Sequence, residues 1–152
     1  MAKRSNTLDG FLFLDKPEDM TSAQALNRVK KNLKLSRFGH AGTLDPFATG
    51  LLICASGQAT RLISLFQNQD KTYEAVFVFG EEKDSGDITG QCVNRFEAIP
   101  SLEAIQNALP RFTGKILQTP PAFSALHVNG KRAYDLARRG ETVALEPREV
   151  MV

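Results

Sequence analysis

The chain has 152 residues, 42% of them hydrophobic, and a formal net charge of only +2. That length sets one domain as the prior expectation and supplies enough apolar residues for an ordinary core. The near-balanced charge excludes nucleic-acid binding by bulk charge, so any RNA contact must come from local Lys and Arg clusters.

Cys54 and Cys92 belong to no CxxC pair and lie near no His pair. This argues against a disulfide framework or a metal site and fits a reducing compartment. Cys54, inside an apolar run, reads as a core residue. The start, MAKRSNT, is polar, no apolar segment follows it, and no run of about 18 apolar residues occurs anywhere. The expectation is a cytoplasmic protein with no membrane association: a polar tail over residues 1–9 and a folded domain from residue 10 onward.

Taken in order, residues 10–15 (GFLFLD) form a short apolar run with the look of a buried strand. KPEDM turns the chain, and Thr21 or Ser22 then caps a helix near residues 22–34. Ala25, Leu26, Val29 and Leu33 form its apolar stripe, with Lys30, Lys31 and Lys34 on one flank, either solvated or phosphate-contacting. The stretch RFGHAGTLDPFATG, residues 37–50, is too broken for a regular element. Gly39, Gly42 and Gly50 allow positive φ or close backbone approach, and Pro46 stiffens the chain around Asp45. Behind it, LLICA at residues 51–55 reads as a buried strand. A carboxylate on a stiff loop backed by a buried strand suits a nucleophile or general base, and it equally suits an Asp that caps a turn.

Gly57 marks a turn, and residues 59–66 suit a short helix. Residues 71–79 (KTYEAVFVF) alternate as a strand does, putting Tyr73 on one face with Ala75, Phe77 and Phe79. Residues 81–90 are an acidic, Gly-containing solvated turn whose carboxylates do not match a calcium loop. A strand near residues 91–95 precedes a helix capped by Ser101, with Leu102, Ile105 and Leu109 inward and Pro110 as its stop. Another strand is expected over residues 114–118, and Asn129-Gly130 is a strong hairpin signal. Residues 131–139 (KRAYDLARR) read as a helix ended by Gly140. Lys131, Arg132, Arg138 and Arg139 with Tyr134 among them suit RNA, or an ordinary amphipathic helix. The last residues, 147–152, alternate like a strand.

The wording of three segments adds to this reading. GHAGTLDPFATGLL, residues 39–52, resembles the catalytic motif of the TruB family of tRNA pseudouridine synthases. The LDKPEDMTS segment, residues 14–22, resembles that family's first motif, with Asp19 where the family usually has glycine. The PPAFSALHVNGKRAY segment, residues 120–134, resembles its tRNA-embracing insertion, with His127 where lysine is frequent. The resemblance covers nearly everything from about residue 10. It implies an α+β fold with a mixed, largely antiparallel sheet and flanking helices, and no cofactor or metal.

By the same resemblance Asp45 is the catalytic residue and Tyr73, in its K-x-Y context, stacks on the target base. His40, beside the loop, fills the space the flipped base vacates, Gly42 and Thr43 are substrate-binding, and Lys131, Arg132, Tyr134, Arg138 and Arg139 contact the tRNA T-arm. Lys16, Pro17, Gly39 and Pro46 support the loop. The implied activity is conversion of uridine 55 in the T-loop to pseudouridine, with the base flipped out of its stack. The alternative on the same scaffold is a non-catalytic RNA-binding or tRNA-folding module. Family members continue for roughly as long again, so the resemblance implies a C-terminal remainder, as a separate chain or further segment, carrying an arginine partner for Asp45.

Overall fold

Leu12 and Leu14 point inward and Phe11 and Phe13 outward along a seven-residue strand, β1, Gly10–Lys16. This is the period of two expected of a sheet with one covered face. The computed structural model describes residues 8–120, 127–128, 131–132 and 145–152. The chain divides into two compact units, Met1–Glu74 and Ala75–Val152.

In the first unit β1 is followed by a helix, α1 (Ser22–Asn32), the short strand β2 (Phe38–His40) and the strand β3 (Gly50–Ser56). The sheet order is β1-β3-β2, and both pairings are antiparallel. β3 is central and pairs with β1 over the whole of its length, from Gly10↔Ser56 to Lys16↔Gly50. Leu52, Cys54 and Ala55 are therefore buried, and with Ala25, Leu35 and Ala41 they make the core. Burial pushes the Cys54 thiol up to about 11. Strand β2 lies within the stretch expected to be wholly irregular; the pairing Gly39↔Ala55 ties it to the sheet.

Helix α1 starts at a capping box. The Gln24 amide donates to Thr21 Oγ1 at 3.1 Å, and the Thr21 amide donates to Gln24 Oε1 at 2.8 Å. It ends where the Leu35 amide donates back to the Lys30 carbonyl at 3.0 Å and Lys34 takes φ 52. Asp19 also has positive φ (57), so it holds the left-handed turn that glycine would otherwise supply. After β3, a 3₁₀ turn (Gly57–Leu62) leads into a short helix, α2 (Ile63–Gln67). Phe66 of α2 meets Phe11 edge-on with ring centres 5.0 Å apart.

The expected strand at 71–79 is not formed. These residues belong to no ladder, and their side chains are exposed, Val76 by 90% and Phe77 by 79%. Alternation favours an extended backbone, but a strand also needs a partner whose amides and carbonyls it can pair with.

The second unit holds three two-stranded antiparallel sheets among its described residues. β4 (Glu81–Lys83) pairs with β5 (Cys92–Arg95), so the first three residues of the expected acidic turn are strand. Glu81 meets Arg95 across this ladder at 3.1 Å and Lys83, two residues on in its own strand, at 3.3 Å. The turn between them is closed by its own carboxylates: Asp84 accepts from the Gln91 amide at 2.8 Å, and Asp87 accepts from Thr89 and Ser85. The Thr89 hydroxyl leads the contacts that hold the Asp87 carboxyl below its ordinary range.

Helix α3 (Leu102–Ala108) is capped by Ser101, whose hydroxyl accepts from the Ala104 amide at 3.2 Å. Pro110 falls in a 3₁₀ turn, Leu109–Phe112. Leu102 and Leu109 were expected to face inward but are exposed, because α3 is only two turns long and packs chiefly on the turn that follows it. β6 (Lys115–Gln118) pairs with the terminal strand β9 (Arg148–Met151). β7 (His127–Val128) pairs with β8 (Lys131–Arg132) on either side of Asn129-Gly130, as the hairpin signal requires. Lys131 and Arg132 are thus strand residues rather than the start of a helix, since the hairpin's register claims them. The rest of that expected helix lies outside the described residues. The architecture is α+β, and among the described residues all pairings are antiparallel, in four small sheets.

Candidate active site

Gly50 ends the Asp45 loop with φ +108, a value that favours glycine, and releases the chain into β3. The loop starts from β2, where the Ala41 amide donates to the Ile53 carbonyl at 2.8 Å. Both ends of the loop are therefore anchored on the central strand. Between these ends, residues 41–49 have no ladder of their own, and side chains from β1 and α1 hold them.

Lys16 is the largest of these supports. It is fully buried, and its Nζ donates to the carbonyls of Pro17 (2.8 Å), Met20 (2.6 Å) and Pro46 (3.1 Å). Three acceptors match the three protons of an ammonium group. Buried charge is costly unless it is fully hydrogen-bonded, and here the satisfied charge ties the turn after β1 to the loop across thirty residues of sequence. The Met20 amide adds a second bond to the Pro46 carbonyl, at 3.3 Å. Ser22, at the first turn of α1, is 1% exposed. Its hydroxyl donates to the Leu44 carbonyl at 3.1 Å and accepts from the Leu44 amide at 2.9 Å.

Asp45 stands between these two attachments, with its side chain exposed. Its carbonyl accepts from the Ala48 amide at 3.1 Å, closing a turn over Pro46 and Phe47. His40 ends β2, and its Nδ1–H donates to the Gly42 carbonyl. That bond fixes the ring beside the loop and leaves Nε2 as the other polar edge. A Cβ on Gly39 would come to 3.0 Å from Ile63 Cδ1, the movable tip of a side chain. Gly42 has neither positive φ nor a crowded neighbour, so the conformational reason expected for it does not hold. Thr43 is exposed beside it.

One loop therefore gathers Lys16, Pro17, Gly39, His40, Gly42, Thr43, Asp45 and Pro46. Tyr73 lies in the same unit and is 69% exposed. Lys131 and Arg132 are in the second unit, on β8. Tyr134, Arg138 and Arg139 lie outside the described residues. Sequence reasoning missed Ser22 as a loop contact because Thr21 and Ser22 both look like helix caps. Once Thr21 takes the cap, the adjacent hydroxyl faces the loop. Among the described residues no group of His, Cys, Asp and Glu is placed to hold a metal ion, and no helix is long and apolar enough to cross a membrane.

The fold matches a chain in the crystal structure of a Cbf5-Nop10-Gar1 complex, with a TM-score of 0.52 and 26% identity, covering 78% of this chain and 31% of that one. With an aspartate on a loop clamped between sheet and helix, that similarity defines the class as the α+β fold of the pseudouridine synthases. The chain belongs to the TruB family of pseudouridylate synthases, whose N-terminal-domain model matches residues 30–152. It is 49% identical to a tRNA pseudouridine synthase B of Bordetella avium over the whole of this chain and 64% of that relative. A relative of the same name in Rhizobium meliloti is 45% identical over 98% of this chain and 48% of its own length. Another in Aquifex aeolicus is 45% identical over 95% of this chain and 50% of its own. The chain thus spans 64% of the first relative's length and about half that of the other two.

Proposed function

We propose that this chain carries the reacting aspartate of an isomerase that converts uridine 55 in the T-loop of tRNA to pseudouridine. The observation that carries the reading is the Asp45 carboxylate itself, exposed on a loop held on both sides by buried side chains. A binding module has no use for a carboxylate near phosphates, whereas a reacting group needs one in a fixed place. The family and the relatives' shared name support the substrate.

In this reading the bond between ribose C1′ and uracil N1 breaks, the base turns, and C5 joins C1′. The proton on C5 is released as N1 gains one, so the reaction is an isomerisation that uses no cofactor. The target must first leave its stack, at a cost of a few kcal/mol. Tyr73 offsets part of that by stacking on the base, worth about 1–3 kcal/mol. His40 fills the space the flipped base vacates, Gly42 and Thr43 contact the substrate, and Lys16, Pro17, Gly39 and Pro46 hold the loop. Lys131, Arg132, Tyr134, Arg138 and Arg139 contact the T-arm, the phosphates through charge. A C-terminal remainder, in the same chain or a separate one, completes the enzyme, and the setting is the cytoplasm, where tRNA is processed.

The test is to incubate the native full-length protein with a T-arm stem-loop and map pseudouridine along it. Conversion at the position of uridine 55 is expected. Tight binding without conversion at any uridine would overturn the proposal in favour of a non-catalytic RNA module.

A further inference from the structure

We propose that Ser22 is a positioning residue for the reaction at Asp45, setting the carboxylate's place by gripping the peptide group that precedes it. The inference rests on the reading of Asp45 as the reacting group. Ser22 Oγ touches both polar groups of Leu44, accepting from its amide at 2.9 Å and donating to its carbonyl at 3.1 Å. A hydroxyl has one proton to give and lone pairs to receive with, so one Ser22 rotamer satisfies both bonds. The Leu44 carbonyl belongs to the peptide plane that contains the Asp45 nitrogen and ends on the Asp45 Cα. Fixing that plane fixes the root of the Asp45 side chain.

The far side of Asp45 is held independently. Pro46 restricts its own φ, and its carbonyl takes bonds from Lys16 Nζ at 3.1 Å and from the Met20 amide at 3.3 Å. Asp45 is thus the exposed middle residue of a short span clamped at Leu44 and at Pro46. Ser22 makes the clamp at Leu44, and with only 1% exposure it has no water to exchange for Leu44. It sits in the first turn of α1, which the Thr21 capping box anchors, so it is a rigid post. Helix capping does not explain it, because Thr21 fills that role. Misplacing a reacting group by about 1 Å costs as much as a hundredfold in rate. Ser22 therefore acts on the chemical step and leaves substrate binding alone.

The experiment compares Ser22→Ala, Ser22→Cys and Ser22→Thr in the native full-length protein. Single-turnover pseudouridine formation at saturating tRNA is measured alongside tRNA dissociation constants. Ser22→Ala and Ser22→Cys should slow the single-turnover rate by about tenfold to a hundredfold, with dissociation constants within about twofold of wild type. Ser22→Thr, which keeps the hydroxyl, should recover most of the rate. Should Ser22→Ala fail to fold, the nearly isosteric Ser22→Cys carries the comparison. A wild-type single-turnover rate in a folded Ala or Cys variant would overturn the proposal. So would a slowed rate accompanied by an equal loss of tRNA affinity, or a folded Thr variant as slow as Ala. Asp45→Asn serves as the control: full activity there would mean that the reading of Asp45, rather than of Ser22, has failed.

Discussion

Residues 10–16 and residues 71–79 have almost the same design, a run of large apolar side chains in a β-favouring sequence, and meet opposite ends. The first pairs at all seven positions with β3, and its inner face closes the core on Leu52 and Cys54. The second pairs with nothing among the described residues and leaves Tyr73, Val76, Phe77 and Val78 exposed. Alternation sets which side chains share a face, but the ladder partner decides whether that face is buried. Around the Asp45 loop, β1 has its partner in β3 and further anchors in Lys16 and Ser22, so local pattern and long-range contact agree.

The largest expected effect bears on that contrast directly. Leu52→Ala, in the center of the paired region, should cost about 2–5 kcal/mol in denaturant unfolding. Val76→Ala, at 90% exposure, should stay within about 0.5 kcal/mol. Equal costs would show that residues 71–79 are packed in solution and would dissolve the comparison. Tyr73→Ala should leave stability unchanged and weaken productive tRNA docking by about 1–3 kcal/mol, while Tyr73→Phe keeps the stacking face. If both variants turn over like wild type, Tyr73 is no base platform.

Lys16→Met removes the donor from three carbonyls while keeping most of the stem. A loss of about 1–3 kcal/mol is expected, the cost of a buried acceptor left unmade, with faster amide exchange in the Asp45 loop. Unchanged exchange would mean that the loop holds itself. The smallest effect concerns the two thiols. Burial raises the Cys54 pKa in the folded state to about 11, so the stability this contributes is present at neutral pH and falls away as pH rises from about 9 through 11. Alkylation of the folded protein should label Cys92 and spare Cys54. Equal labelling would show that β3 opens readily.

The sequence made the first unit largely legible. The Thr21 cap, the apolar LLICA run and the glycine turn at Gly50 each have a local cause, and each appears in the structure. The left-handed turn at Asp19 followed from the resemblance, in which glycine usually stands there, rather than from a local signal. What stayed hidden depends on distance along the chain. Nothing near Ser22 in sequence announces Leu44, and the three acceptors of Lys16 span both sides of α1. In the second unit, the strand at Glu81–Lys83 is set by cross-strand pairing with Asn94 and Arg95, which outweighs a locally turn-like composition. The basic residues at 131–132 read as the start of a helix ended by Gly140, but the pairing with His127 and Val128 claims them as strand.

The central claim is that the loop exists to present the Asp45 carboxylate. Asp45→Asn in the native full-length protein tests it, because asparagine keeps the shape and removes the charge. Tritium release from tRNA labelled at uracil C5 should fall to background while tRNA affinity and thermal stability hold. Release within about tenfold of wild type, a barrier change of only about 1.4 kcal/mol, would contradict the account.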